Sequence, residues 1–100
     1  MTLRMLLAAA LAAMTWPALA QESTAGRSLS ATCAHCHGTA GHSVTQEVAP
    51  LAGRPKDYIA SQMKAFQGGT RPATVMHQIA KGYTDAQIEA LADFLSRQAK

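Results

Sequence analysis

Apolar and polar positions in this 100-residue chain recur with a helical period, and no stretch keeps the period-two alternation that a half-buried strand needs. The pattern opens on a continuous apolar run from Met5 to Met14. From Ala25 onward it predicts helix, loop, helix, loop, short helix and helix. The first helix is expected from about Ala25 to Cys33, with Leu29 on its inner face and Gly26 as a point of close approach. Gly38 to Ser43 is rich in glycine and small polar residues and reads as loop, which continues through Pro50-Leu51-Ala52-Gly53. A second helix begins near Pro55, at a position where a missing N–H costs nothing. Tyr58, Ile59, Met63 and Phe66 give it an apolar stripe interrupted by Gln62, and Gly68-Gly69 ends it. Val75, Met76, Ile79 and Ala80 form a short apolar segment stopped by Gly82. Thr84-Asp85-Ala86-Gln87 reads as a capping box opening the last helix, whose inner positions are Ile88, Leu91, Ala92 and Leu95, with Phe94 beside them. The expected fold class is all-α.

The N-terminal run changes this picture because it reads as a secretory signal. Arg4 supplies the positive start, and Ala18-Leu19-Ala20 supplies a small-x-small cleavage pattern before Gln21. The apolar run is too short to cross a hydrocarbon layer of about 30 Å as a helix. Residues 1–20 are therefore expected to be a signal peptide and 21–100 a single small domain in the periplasm, with no stable membrane insertion after cleavage. Without Arg4 the domain carries eight basic and six acidic residues. They are interspersed, without the basic stripe that a nucleic-acid partner would call for. A domain of this size buries little core and usually needs a staple.

The staple is legible in Cys33-Ala34-His35-Cys36-His37, which uses both cysteines of the chain. Cys-x-x-Cys-His is the pattern for covalent attachment of a c-type haem. Two thiols three residues apart can each add to one vinyl group, and the adjacent imidazole can then reach the iron. A disulfide between Cys33 and Cys36 would close too short a loop to constrain the unfolded chain strongly and would leave His37 unexplained. A zinc site from Cys33, Cys36, His37 and His42 has enough donors, but structural zinc sites draw on two separated pairs. Methionine is the usual sixth ligand in electron-transfer haems. Met63 sits at helical spacing and reads as packing. Met76 follows the Gly-rich loop, where the chain could cross the other haem face, and is favoured over it. His35, His42 and His77 read as solvent-facing.

Ala31-Thr32-Cys33-Ala34-His35-Cys36-His37-Gly38 resembles the attachment motif of class I cytochromes c. Over about residues 25 to 98 the chain is similar to the domains of cytochrome c4 and to the cytochrome subunit of flavocytochrome c sulfide dehydrogenase. Pro50-Leu51-Ala52-Gly53 resembles their Leu-Ala-Gly loop, and Ala73 to Asp85 is close to the flavocytochrome subunit. The resemblance implies the class I cytochrome c fold around one haem c, covalent attachment at Cys33 and Cys36, and axial ligation of iron by His37 and Met76. It implies single-electron transfer with redox proteins, as a free shuttle or alternatively as the permanent haem subunit of a flavoprotein sulfide dehydrogenase, two readings with the same haem requirements. An open haem that binds small molecules or turns over peroxide is the enzyme-class rival, and it requires Met76 to be off the iron. In the family the loop proline lies two residues before the leucine. Here Pro50 directly precedes Leu51, which leaves open what accepts the hydrogen bond from the second nitrogen of His37. Tyr83 and Arg71 are candidates for contact with haem propionates.

Overall fold

The computed structural model describes residues 18–100, so the expected signal peptide lies outside the described residues except for Ala18–Ala20. Helix α1 spans Ala18–Ser30, seven residues earlier at its start than the apolar pattern predicts, and it runs through the expected cleavage point. A 3₁₀ turn over Ala31–Cys33 and a single α-turn, α2 (Ala34–His37), continue it, so the chain stays coiled through the whole cysteine motif. Ser30 sits at the junction, buried, with its hydroxyl donating to Arg27 O at 3.0 Å. Such back-bonding from serine competes with the regular ladder and bends it.

Helix α3 spans Lys56–Gly68, and α4 is the short Met76–Ala80. Helix α5 spans Asp85–Ser96. Among the described residues there is no strand. The core is one cluster built from Ile59, Ala60 and Met63 of α3, Ala80 of α4, and Ile88, Leu91, Ala92 and Leu95 of α5. All four expected inner positions of α5 are buried, because i, i+3, i+4 and i+7 share one helical face. Met63 is buried among them as packing.

Two expectations about α3 need correction. Pro55 takes the N-cap position, with extended backbone (φ −54°, ψ 137°), rather than the first helical one. Tyr58 is 43% exposed and leaves the apolar stripe. Its ring lies beneath the Arg54 guanidinium, 5.6 Å from centroid to Cζ, a cation–π contact available only at the surface edge of the helix. The helix ends as expected at the glycine pair, with Gly69 in the left-handed region (φ 74°).

Helix α1 crosses α5 at Gly26, where Ala90 O and Phe94 Cβ occupy the space a side chain would need. The close approach read from the sequence is thus a helix–helix contact, and Arg27 reaches over the Phe94 ring at 5.7 Å. No helix among the described residues is long and apolar enough to cross a membrane.

The capping box of α5 is complete. Gln87 N–H donates to Thr84 Oγ1 at 3.2 Å, and Thr84 N–H donates to Gln87 Oε1 at 2.9 Å. Thr84→Ala removes one of these bonds and is expected to destabilise the domain by about 1 kcal/mol. In a domain this small, that corresponds to a melting temperature lower by about 4–8 °C. Thermal denaturation followed by circular dichroism checks it; a melting curve within 1 °C of the parent would show that the cap contributes nothing.

Candidate functional site

The coiled stretch from Ala31 to His37 places two thiols and an imidazole on successive turns of one backbone segment. Both cysteines are free, Cys33 half-buried and Cys36 exposed. Burial pushes the Cys33 thiol up from its ordinary value, an effect only partly offset by hydrogen bonding from the Thr32 side chain and its own backbone. Immediately after His37 the chain must turn sharply. Gly38 adopts φ 85° and ψ 162°, and a Cβ there would collide with the carbonyl of His42. Only glycine accepts both constraints.

The returning loop is anchored in three places. Leu51 N–H and Ala52 N–H both donate to Gly41 O, at 2.9 and 3.1 Å, and Gly53 N–H donates to Leu95 O at 3.0 Å at the end of α5. This anchoring brings Ala49 O within 2.7 Å of His37 Nδ1. The acceptor for the second ring nitrogen is therefore the residue before Pro50. Pro50 O instead accepts from Arg54 Nε at 3.3 Å. A carbonyl is only an acceptor, so His37 carries its proton on Nδ1 and presents the lone pair of Nε2.

Met76 opens α4, half-buried against the core cluster. The segment that carries it is held by contacts that the sequence pattern does not announce. Gln67 Nε2 donates to Ala80 O at 2.7 Å and to Tyr83 O at 2.8 Å, fixing the exit of α4 to α3. Tyr83 Oη lies 2.8 Å from Thr32 Oγ1, so the same segment reaches the residue preceding Cys33. Tyr83 is thereby a link between the two halves of the site. Arg71 bonds to Gln62 Oε1 and stacks over the Phe66 ring at 4.7 Å.

Among the other histidines, His35 faces solvent as expected. His77 does not: it is half-buried, and its Nδ1 is sealed from solvent without a hydrogen-bond partner. The turn of α4 that directs Met76 inward carries its neighbour partly in as well. His42 is exposed, with its ring nitrogens facing Thr39 O at 3.1 Å and Ala99 O at 2.5 Å. Among the described residues no set of three or more histidine, cysteine or acidic side chains converges on a metal position, so the four zinc donors considered from the sequence are not assembled.

With helices, no strand among the described residues and α1 crossed on α5, the domain has the all-α fold of a class I cytochrome c. Its role is electron transfer, and its cofactor class is haem c. Residues 20–95 match the model of the family described as cytochrome C oxidase, cbb3-type, subunit III, and the chain belongs to that family. It is 37% identical over 75 residues to the cytochrome subunit of sulfide dehydrogenase from Chlorobaculum tepidum, covering 75% of this chain and 67% of that protein. It is 38% identical over 95 residues to a thiosulfate dehydrogenase electron acceptor from Thiomonas intermedia, covering 94% of this chain and 43% of the relative. Cytochrome c-552 of Acidithiobacillus ferridurans is 43% identical over 67 residues, covering 64% of this chain and 27% of the relative. The chain thus spans two thirds of the first relative and less than half of the other two. By name, two of these relatives are cytochromes and the third is an electron acceptor.

Proposed function

We propose that Cys33 and Cys36 hold one haem c through thioether bonds, that His37 Nε2 and Met76 Sδ are its axial ligands, and that the protein is a periplasmic electron carrier. The observation that carries this reading is the 2.7 Å contact between His37 Nδ1 and Ala49 O, which fixes the tautomer and the ring plane for ligation through Nε2. The donor set supports it: two unpaired thiols can form the thioether bonds, and an oriented imidazole and a thioether suit a haem iron. When bound, the haem supplies a one-electron ferric/ferrous couple. The chain does the rest. Gln67 and Tyr83 keep the Met76 segment in place, which resists loss of the thioether and closes the site to small ligands. A thioether also favours the reduced state relative to a second histidine. Met76 and Leu51 pack half-buried against the core cluster.

Met76→Ala tests the ligand set. The ferric parent is expected to show the weak red-edge absorption of sulfur-ligated haem, and the variant is expected to lose it. Ferrous variant should bind carbon monoxide to completion where the parent binds essentially none. A parent that lacks the band and takes up carbon monoxide readily would return the open-haem reading.

For the electron donor we propose a sulfur-compound dehydrogenase, with a flavoprotein that oxidises sulfide as the sharper form. The similarity to the sulfide dehydrogenase subunit covers most of this chain and supports that form. Isolation of the native holoprotein in salt, followed by addition of sulfide or thiosulfate, tests it. A copurifying flavoprotein and rapid haem reduction by sulfide are the expected results. A solitary cytochrome that neither compound reduces would remove the sulfur assignment and leave a diffusible carrier.

A further inference from the structure

Beside the returning loop lies a solvent-open groove of about 440 Å³, lined by His42, Pro50, Arg54, Pro55 and Lys100 among others, with no acidic side chain in its wall. Its two cations stand apart from the rest of the charge. The ion pairs among the described residues join Lys56 to Glu89 and Asp93, Lys64 to Asp85, and Arg97 to Asp93, all on α3, α5 or the turn that follows α5. Neither Arg54 nor Lys100 takes part in one. Arg54 is nevertheless held in place: Nε donates to Pro50 O, and the guanidinium lies over the Tyr58 ring. That leaves its two terminal nitrogens as a fork. Lys100 is held too. His42 engages Ala99 O, and the Lys100 stem crosses Gly53 so closely that a Cβ there would lie 2.6 Å from Lys100 Cγ.

We propose that this groove binds a small tetrahedral oxoanion, gripped by the Arg54 fork and the Lys100 ammonium. An oriented guanidinium pairs with two oxygens of such an anion at once, and a neighbouring ammonium adds a third charge-assisted bond. The volume is ample for phosphate, sulfate or thiosulfate. The site adjoins Pro50, one residue from the carbonyl that holds His37, so a bound dianion adds negative charge near the iron ligand and stabilises the oxidised protein.

The test is calorimetric titration of the holoprotein with inorganic phosphate, with chloride adjusted to hold ionic strength constant, beside a spectroelectrochemical titration of the haem. Saturable one-site binding is expected, with a fall in reduction potential of the same midpoint. Arg54→Gln and Lys100→Gln should each weaken binding about tenfold or more while leaving the haem spectrum intact. Parallel titrations of the ferrous protein with sulfate and thiosulfate identify which oxoanion binds best. A potential that follows ionic strength alone, or phosphate binding that survives both substitutions, overturns the proposal. So does an Arg54→Gln shift in potential with no dependence on anion, because the cations would then serve the haem itself.

Discussion

Changing Cys33 and Cys36 together to serine is expected to convert a covalently held haem into an extractable one, the largest functional change available from two atoms. Each thioether is one bond to one sulfur, and these are the chain's only sulfhydryls. Serine is close to cysteine in size but has no sulfur to form the thioether, so acid–organic solvent should remove all haem from the double variant and none from the parent. The consequence for folding is also large. The core cluster consists of eight side chains, three of them alanine, and a domain of this length rarely supplies enough apolar burial by itself. The double variant is therefore expected to recover little haem-loaded, helical protein from the periplasm. Retention of the haem through acid–organic extraction in that variant would contradict thioether attachment. The single variants separate the two sulfurs: either one alone should leave a haem that still resists extraction but is held by one bond.

A valine at Gly26 is expected to destabilise the protein more than any surface change. The Cβ alone would overlap Ala90 O and approach Phe94 Cβ to 2.9 Å, and both belong to the packed face of α5. Backbone cannot rotate away as a side chain can, so α1 must move off α5 and uncover part of the contact. Overpacking of this kind costs about 1–3 kcal/mol, and the carbonyl clash places it at the upper end. The better helix propensity of valine over glycine returns only a few tenths of that. A melting temperature more than 10 °C lower is the expected readout, with the haem still attached. Gly68→Ala provides the contrast. Nothing lies within 4 Å of a Cβ at that position, so the change should be neutral or slightly stabilising. If the two variants melt alike, the α1–α5 crossing is not the close contact described.

Much of this molecule is written in short-range patterns. Cys33-Ala34-His35-Cys36-His37 gathers two thiols and an imidazole within five residues, which the coiled backbone keeps on adjacent turns. Thr84 and Gln87 cap α5 through atoms three residues apart, and Ile88, Leu91, Ala92 and Leu95 share a face by helical geometry alone. Gly26 was legible as a close approach, since a helix interior gives glycine no other reason to be there.

What needed the tertiary structure are the meetings between distant segments. Ala49, not Pro50, faces His37, because the register of the loop is set by its bonds to Gly41 and to Leu95 at the end of α5. Gln67 clamps the Met76 segment across 13 and 16 residues, Tyr83 ties it to Thr32 across 51, and no local signal marks a polar residue beside an apolar stripe as a clamp. Tyr58 left the stripe for Arg54, and His77 turned partly inward with its neighbour, because each lies at the margin of a helical face where packing decides orientation. The sequence by itself determined the fold class and carried the proposed attachment motif and its candidate methionines. Only the packed chain determined which carbonyl orients the histidine and what holds the methionine segment, since those depend on where two segments meet and not on either one alone.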